Sequence, residues 1–302
     1  MSYQLYFESI KKNQNCQSFS LISSSGLSKK KPLSFDIIRD MNTYKKSYGK
    51  TLIIGGDEGY LGAIIISSRS ALYSGSRYVE AFSTKTHANI LATYQPELIT
   101  SYSVEKLYKV IKDFQNILIG PGLSENKWSV DIFEKFKKHL LSNNIGQNII
   151  ADAGFLNILS SYPFKFDNWI LTPHIGEAAK LLNTSTKKIQ QNRLEAATRL
   201  QKKFGGVVVL KGPGTIIKDN HDAYVCSHGN HGMGTAGMGD CLAGIILSMV
   251  SMVDNKDYIK SILYAVGVHS LSGDLIKSEK GTIGLLASNV MRKVNKLLNN
   301  KI

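Results

Sequence analysis

Residues 51–82, TLIIGGDEGYLGAIIISSRSALYSGSRYVEAF, hold the pattern from which the fold can be predicted. A β-branched apolar segment, Thr51–Ile54, ends in two glycines, and a helical stretch then begins near Gly59. A second apolar segment follows at residues 78–82. Short apolar segments that alternate with longer amphipathic stretches are typical of parallel strands whose two faces are both covered by helices. Residues 51–82 therefore predict a strand–helix–strand unit.

The same alternation continues along the chain and predicts a larger sheet. Further strands are expected at Asn116–Ile119, Asn148–Ala151, Trp169–Leu171 and Val207–Leu210. Two later segments, residues 215–218 and Ala223–Cys226, flank a polar turn and predict a β-hairpin. Helices are then expected at residues 240–252, 256–273 and 281–298. The predicted fold class is α/β, with a central, mostly parallel sheet, helices on both faces and a small β-hairpin.

Composition places the chain among globular proteins. It has 302 residues, of which 43% are hydrophobic and 20% charged. We expect one domain over residues 50–302 and an N-terminal extension over residues 1–49, rich in Ser, Lys, Asn and Gln, that lies on the domain or is partly disordered. No apolar segment approaches the roughly 20 residues of a membrane span, and the N-terminus has no secretion-signal pattern. A cytoplasmic protein that does not enter membranes is expected.

Charge and cysteine content narrow the classes of ligand. Lys and Arg number 37 against 23 for Asp and Glu, and the formal charge of +14 suits either nucleic acid or small polyanions. The basic residues are scattered, with one tight run at residues 29–31, so we expect small polyanions and no nucleic acid. The three cysteines are far apart and form no CxxC pair, which argues against a disulfide framework and against a zinc site.

The densest chemical signal is residues 229–240, GNHGMGTAGMGD, which lead directly into an apolar helix. The glycines among them allow backbone N–H groups to converge, and the helix start adds the positive end of its dipole. We call residues 229–239 the glycine-rich loop and predict that it binds phosphate. Asp240 either caps the helix or removes a proton from a hydroxyl that attacks the bound phosphate. The density of glycines favours the second interpretation.

A second segment, LTPHIGE at residues 171–177, follows a predicted strand. In an open parallel sheet, ligands bind just beyond the carboxyl ends of the strands. His174 and Glu177 are three residues apart on a loop that enters a helix, so both can face one cleft. The alternative is a helix cap, in which His174 caps and Glu177 completes the capping interaction.

Small or acidic residues follow the other predicted strands in the same way, at residues 55–57, 120–122, 151–153 and 211–215. Lys211 follows a buried strand and is placed to meet a nucleotide phosphate as a compact charge. Gly122 either forms a tight turn or allows close approach of a ligand. Ala63 either packs against a neighbouring element or contacts a ligand. Asp152 pairs with either a metal or a backbone group, and the sequence favours neither. His269 and Asp274 lie on a later predicted helix. We expect His269 in the core and Asp274 at the surface.

Taken together, these segments resemble the ADP- or ATP-dependent NAD(P)H-hydrate dehydratase family of the ribokinase-like superfamily. The family's usual motifs are GGS with YxGA, then GPGL, DADAL, LTPHPGE, KGAGT and GNPGMATGGTGDVLAG. This chain has their counterparts in the same order, from about Tyr44 to the C-terminus, at residues 55–63, 120–123, 151–153, 171–177, 211–215 and 229–244. TPHxGE is the most specific motif, since related vitamin-precursor kinases have Asn where His174 stands.

The chain departs from the family pattern at several positions, and residues 44–46, YKK, stand where the family often has HKG. Asp57 stands in place of Ser, Ala236 in place of Gly and Met238 in place of Thr. Met238 removes a hydroxyl that could contact phosphate but leaves the backbone donors in place. Many family members carry an epimerase domain ahead of the dehydratase, and 49 residues are too few to form one. A dehydratase domain alone is therefore expected.

The resemblance implies dehydration of the S-form of hydrated NADH or NADPH (NADHX or NADPHX) to the reduced cofactor, with Mg²⁺ and with ADP favoured over ATP as phosphoryl donor. Asp240 would be the catalytic base, and Glu177 would hold Mg²⁺ through water. The nucleotide would be bound by Lys211, Gly212, Pro213, Gly214, Thr215, Gly234, Gly237 and Gly239. The hydrated cofactor would be bound by Ala63, Gly122, His174 and Asp240. A homo-oligomer is also expected.

Two alternatives belong to other functional classes. A ribokinase-like kinase of a small alcohol, such as a hydroxymethylpyrimidine, would use the same loop and base but would release a stable phosphoester. A non-catalytic nucleotide sensor or a nucleic-acid binder would use the loop or the +14 charge without chemistry. Asp240, the acidic residue directly after the glycine-rich loop, argues against the sensor. The scattered positions of the basic residues argue against the nucleic-acid binder.

Overall fold

The computed structural model describes residues 16–21, 33, 42–142, 146–253 and 258–300, and these form a ten-stranded sheet. The strands are β1 Gln17–Phe19, β2 Thr51–Ile54, β3 Val79–Phe82, β4 Ile99–Ser101, β5 Asn116–Ile119, β6 Asn148–Ala151, β7 Trp169–Leu171, β8 Val207–Leu210, β9 Ile216–Lys218 and β10 Ala223–Cys226. Their order across the sheet is β1-β10-β9-β8-β7-β6-β5-β2-β3-β4. Neighbouring strands are parallel, except that β9 is antiparallel to both β8 and β10.

The α-helices cover both faces of this sheet. They are α1 Leu61–Tyr73, α2 Lys85–Tyr94, α3 Leu107–Lys112, α4 Lys127–Ser142, α5 Ala153–Ser161, α6 Ile175–Leu181, α7 Thr186–Gln191, α8 Arg193–Phe204, α9 Met238–Val250, α10 Tyr258–Lys280 and α11 Ala287–Asn300. Short 3-10 turns add Val104–Lys106 and His231–Met233. Within the described residues, no helix has the length and apolarity needed to cross a membrane.

Alternate residues of the central strands point into two separate cores. On β2, Ile53 packs with the core formed by α1, α9, α10 and α11. Its neighbours Leu52 and Ile54 pack with the opposite core, to which α3 through α8 contribute. All three side chains are fully buried. A strand buried on both faces must be apolar at consecutive positions, which is why these strands have no polar alternation.

The structure confirms the predicted α/β class and the predicted mostly parallel sheet. Most predicted strand bounds agree with the observed ones; β3 begins at Val79 instead of residue 78, and β9 begins at Ile216 instead of residue 215. One strand was not expected: β4, a three-residue strand at the sheet edge. A strand of that length carries too little pattern to distinguish it from a loop.

The C-terminal helices differ more from expectation. The helix predicted to end at residue 273 continues to Lys280, because Gly273 does not act as a stop signal. A Cβ at this position would lie 2.3 Å from Sδ of Met233, so the glycine instead permits close packing against the glycine-rich loop. The last helix begins at Ala287 instead of residue 281, since residues 281–286 form a loop with positive φ at Gly281 and Gly284.

The predicted N-terminal extension contributes one strand to the sheet. β1 pairs in parallel with β10 at the sheet edge. Directly after it, the Leu21 N–H donates to Nε2 of His228 at 3.1 Å, and Oγ of Ser20 lies 3.1 Å from the same atom. Residues 16–21 are thus joined to the chain immediately before the glycine-rich loop. The basic run at residues 29–31 lies outside the described residues.

Candidate active site

Backbone hydrogen bonds and close backbone contacts hold together the segments that follow β2, β5 and β6. The Gly56 N–H donates to the Pro121 carbonyl at 2.8 Å, and the Asp57 N–H donates to the Gly122 carbonyl at 2.8 Å. At Gly120, where φ is +125°, a Cβ would lie 1.7 Å from the carbonyl oxygen of Asp152. The first role of this glycine is therefore to let two strand ends approach each other, and the loop that carries Gly122 is fixed in place as a result.

Gly122 and Ala63 lie next to each other at this edge. A Cβ at Gly122 would be 3.1 Å from Cβ of Ala63 and 2.8 Å from Cβ of Tyr60. Ala63 belongs to the first turn of α1, and the side chain of Tyr60, directly before that helix, is exposed. Two of the four residues expected to contact the hydrated cofactor are thus neighbours beside an exposed aromatic ring.

A cluster of four charged residues occupies the next part of the edge. Nζ of Lys211 lies 2.6 Å from Oδ1 of Asp152 and 3.9 Å from Oε2 of Glu177. Oδ1 of Asp152 also accepts a hydrogen bond from Thr172 at 2.7 Å. Asp240 is close enough for its charge to act on Lys211. We call Asp152, Glu177, Lys211 and Asp240 the charge cluster.

The charge cluster alters the proton affinity of its members. Burial, followed by the negative charge of Asp152, raises the pKa of Asp240 to about 7, while Lys211 acts in the opposite direction. Burial also raises the pKa of Glu177, and Lys211 again opposes the shift. For Lys211, burial lowers the pKa, but the carboxylates of Asp152 and Glu177 outweigh it and leave the pKa above its ordinary value. Asp240 can therefore exchange a proton near neutral pH.

The position of Asp240 excludes one of its two interpretations. The N-cap of α9 is Gly237, in the left-handed conformation with φ +83°, and no side chain caps the helix there. Asp240 lies in the first helical turn. The interpretation of Asp240 as the N-cap is wrong, because the helix begins two residues earlier than the sequence pattern indicated. The carboxylate instead lies near the positive end of the helix dipole and beside Lys211.

The glycine-rich loop packs closely against its surroundings. A Cβ at Gly237 would lie 2.4 Å from Cδ1 of Ile66, and a Cβ at Gly239 would lie 3.1 Å from Nζ of Lys211. Gly239 therefore brings the loop backbone against the charge cluster. The start of the loop is held by Asp274, which accepts hydrogen bonds from the Gly229 N–H at 2.9 Å and from Nδ2 of Asn230 at 3.0 Å.

Residues 211–215 connect β8 to β9 beside the charge cluster. The Lys211 N–H donates to the Pro173 carbonyl at 2.8 Å, and Oγ1 of Thr215 donates to the Gly212 carbonyl at 3.2 Å. Gly212 and Pro213 are exposed, whereas Gly214 and Thr215 are buried. Lys211, the first residue of the segment predicted to bind nucleotide, thus lies against Gly239 of the glycine-rich loop, with its ammonium group bound to Asp152.

His174 and Glu177 form a capping box at the start of α6. Nδ1 of His174 accepts from the N–H groups of Gly176 and Glu177 at 2.9 and 3.1 Å, and Oε2 of Glu177 accepts from the His174 N–H at 2.7 Å. The capping interaction left open by the sequence is therefore present. The side chain of His174 is nevertheless 60% exposed, so the capped residue remains at the surface.

The site also contains residues whose place the sequence did not settle. Asp152 pairs with the side chain of Lys211, whereas the sequence suggested either a metal or a backbone group as its partner. Asp274 was expected at the surface, but it is half-buried and bonds the glycine-rich loop. His269 lies in the core, as expected, and burial lowers its pKa to about 4. The sequence feature that could have pointed to a site role for Asp152 is its position directly after a buried strand.

The charge cluster suits Mg²⁺ that is held through water. Oδ2 of Asp152 is buried and has no hydrogen-bond partner among the described residues, and Glu177 and Asp240 supply further carboxylates nearby. Oxygen ligands and retained waters are typical of Mg²⁺ sites. No set of three or more His, Cys, Asp or Glu side chains within the described ranges is arranged to hold a metal ion directly. The donors therefore fit a hydrated Mg²⁺ that accompanies a bound phosphate.

Comparison with known sequences identifies the relatives of this chain. A family model described as NAD(P)H-hydrate dehydratase matches residues 51–296. The bifunctional NAD(P)H-hydrate repair enzyme Nnr of Coxiella burnetii is 36% identical over 264 residues, which cover 86% of this chain and 52% of that protein. The chain thus spans about half the length of the curated relatives it matches.

Solved structures support the same relationship. A ribokinase-like superfamily protein from Enterococcus faecalis superposes with a TM-score of 0.80 at 26% identity, covering 95% of this chain and 96% of that one. The ADP/ATP-dependent NAD(P)H-hydrate dehydratase from Bacillus subtilis, co-crystallized with ATP/Mg²⁺, gives 0.76 at 26% identity, with 87% and 93% covered. The expected ribokinase-like fold is therefore confirmed. Because the matching family model covers most of its length, this chain belongs to the NAD(P)H-hydrate dehydratase family.

Proposed function

We propose that this protein converts the S-form of hydrated NADH or NADPH back to the reduced cofactor, using ADP or ATP as phosphoryl donor. The observation that carries the proposal is the position of Asp240, which directly follows the glycine-rich loop and lies within electrostatic reach of Lys211, where burial raises the pKa of its carboxyl group to about 7. A base with that pKa beside a phosphate-binding loop suits the activation of a hydroxyl for phosphoryl transfer. A cytoplasmic homo-oligomer that binds no nucleic acid is proposed as well.

The reaction follows from the poor leaving ability of hydroxide. Asp240 takes the proton of the ring hydroxyl while the hydroxyl oxygen bonds to the terminal phosphorus and the bond to the bridging oxygen breaks. AMP is released from ADP, or ADP from ATP. The lone pair of the ring nitrogen then expels phosphate, and loss of a proton from the adjacent ring carbon restores the double bond. The backbone N–H groups of the glycine-rich loop would stabilise charge on the phosphoryl group in flight.

We assign the remaining residues by their place at the carboxyl edge. Residues 211–215, together with Gly234, Gly237 and Gly239, would bind the nucleotide. Ala63, Gly122 and His174 would bind the hydrated nicotinamide, with Asp240 facing both ligands. Mg²⁺, when bound, would neutralise phosphate charge, and Glu177 and Asp152 would hold its waters. ADP is the favoured donor. The basic character of the chain suits two polyphosphate ligands.

The direct test mixes purified protein with hydrated NADH, Mg²⁺ and either ADP or ATP, and follows recovery of absorbance at the reduced-nicotinamide band. We expect recovery only when both nucleotide and Mg²⁺ are present, with inorganic phosphate formed in equal amount. Full turnover in nucleotide-free, chelator-treated protein would refute the phosphorylation mechanism. A stable phosphoester without absorbance recovery would instead support the small-alcohol kinase.

Replacement of His174 separates cofactor binding from helix capping. Asn is an equally good capping residue, so His174→Asn should keep the α6 start and leave the melting temperature nearly unchanged. If the imidazole contacts the hydrated cofactor, KM for that substrate should rise about tenfold, the usual effect of losing one hydrogen bond in a site. His174→Ala is the control that also loses the cap and should reduce stability by about 1 kcal/mol. Wild-type KM in His174→Asn would remove His174 from the binding site.

A further inference from the structure

We propose that Arg193 is a positioning residue for the nucleotide, acting through residues 211–215. The side chain comes from the first turn of α8, on the other side of the loop from solvent, and is 1% exposed. Its guanidinium group donates to the Leu210 carbonyl at 3.2 Å and, through a shorter contact, to the Pro213 carbonyl. One buried cation thus binds both the last residue of β8 and the middle of the loop that follows it.

The contact with Gly212 extends this support along the loop. A Cβ at Gly212 would lie 3.1 Å from Nη2 of Arg193 and 3.3 Å from Cζ, and φ at this glycine is +145°. The backbone of Gly212 therefore lies directly against the guanidinium plane. Only glycine combines this φ with such close approach, so the loop conformation and the buried arginine depend on each other.

The consequence for nucleotide binding is electrostatic as well as geometric. A loop that binds phosphate must keep carbonyl oxygens away from the anion, because their lone pairs repel it. Arg193 engages the carbonyls of Leu210 and Pro213 from the buried side, so these two acceptors are already used when an anion reaches the exposed face at Gly212. Arginine suits this role because its planar fork can bind two acceptors in fixed geometry, which a lysine cannot do.

A second buried polar residue on the same helix provides the matched control. Gln201 is 7% exposed and donates through Nε2 to the Gly206 carbonyl at 3.4 Å and to Oδ1 of Asn220. Like Arg193, it joins α8 to the backbone near β8. Gly206, however, lies at the opposite end of β8 from residues 211–215. Replacement of Gln201 should therefore affect stability without affecting the nucleotide loop.

The inference rests on the proposed nucleotide site, and the experiment measures binding instead of turnover. Titration calorimetry would give the Kd of ADP with Mg²⁺, and separately the Kd of hydrated NADH, for wild type, Arg193→Lys, Arg193→Met and Gln201→Met. We expect Arg193→Lys to weaken ADP binding about tenfold or more, since charge-assisted hydrogen bonds are lost. Its Kd for hydrated NADH should stay within about twofold, and Gln201→Met should leave both values unchanged.

The outcomes separate this inference from the proposed function. Folded Arg193→Lys with wild-type affinity for ADP would overturn the positioning role, and so would equal weakening of both ligands. Arg193→Lys keeps the charge and the long stem, so it carries the test even if Arg193→Met does not fold. Wild-type protein that binds ADP without converting hydrated NADH would refute the proposed function alone, and the comparison of ADP affinities would still decide the role of Arg193.

Discussion

Asp240→Asn is expected to lower kcat by about 10² to 10⁴, the usual contribution of a positioned general base. Asn is nearly isosteric with Asp but cannot accept the proton. Since Gly237 and not Asp240 is the N-cap of α9, the substitution removes no cap and should cost little stability. Nucleotide affinity should hold or improve, because a negative charge next to the phosphates is lost. Steady-state kinetics and thermal unfolding of the same preparation measure both quantities.

The pH profile provides an independent check on Asp240. The pKa of its carboxyl group is raised to about 7, so the fraction of free enzyme with an ionised base increases as pH rises through this value. In wild type, kcat/KM should therefore climb between pH 6 and pH 8 and then level off, as expected for a base with a pKa of about 7. The residual activity of Asp240→Asn should lack this limb. Asp131→Asn, a surface change on α4, is the control. Folded Asp240→Asn with wild-type kcat would leave the transfer without this base.

Lys211→Met is expected to reduce the free energy of unfolding by about 3 kcal/mol and to abolish most activity. The substitution keeps much of the side-chain volume but leaves the carboxylate of Asp152, which is 1% exposed, without its ion partner at 2.6 Å. Removal of one member of a buried pair is costly because the other charge stays buried without compensation. Urea denaturation at pH 7 would measure the loss.

A double variant distinguishes the ion pair from general damage. Lys211→Met combined with Asp152→Asn removes both charges of this pair and should recover part of the lost stability, because Asp152 no longer buries an unpaired charge while Glu177 still loses Lys211 at 3.9 Å. Activity should not recover. Lys180→Met, which changes an exposed lysine of α6, is the control and should be nearly neutral. Equal instability of the double and single variants would contradict the pairing of Lys211 with Asp152.

Much of the fold could be predicted because its determinants are local in the sequence. Strands such as Thr51–Ile54 and Val207–Leu210 are apolar at consecutive positions and end at glycine or lysine, so their bounds can be predicted accurately. The glycine-rich loop is equally apparent, since the glycines lie within a few residues of one another. One error falls where a glycine has a packing role, at Gly273, which contacts Met233 instead of ending a helix.

The parts of the site that were not predicted depend on contacts between distant segments. Asp152 and Lys211 are far apart in the sequence, and neither segment indicates that the two side chains meet. Arg193 stands in a polar, amphipathic helix where an exposed arginine would be ordinary, yet its side chain is buried under the next loop. Such pairings follow from the order of strands in the sheet, which periodicity alone does not determine.

The backbone contacts at the carboxyl edge bear on how such proteins can diverge. A single methyl group at Gly55, Gly120 or Gly154 would lie within 2 Å of a carbonyl oxygen of a neighbouring segment, so no one-step substitution is sterically acceptable at these positions. An exposed side chain nearby, such as that of His174, can be exchanged without such a clash. A descendant could thus acquire a new substrate while keeping all three glycines, whose spacing would mark common ancestry and not shared chemistry.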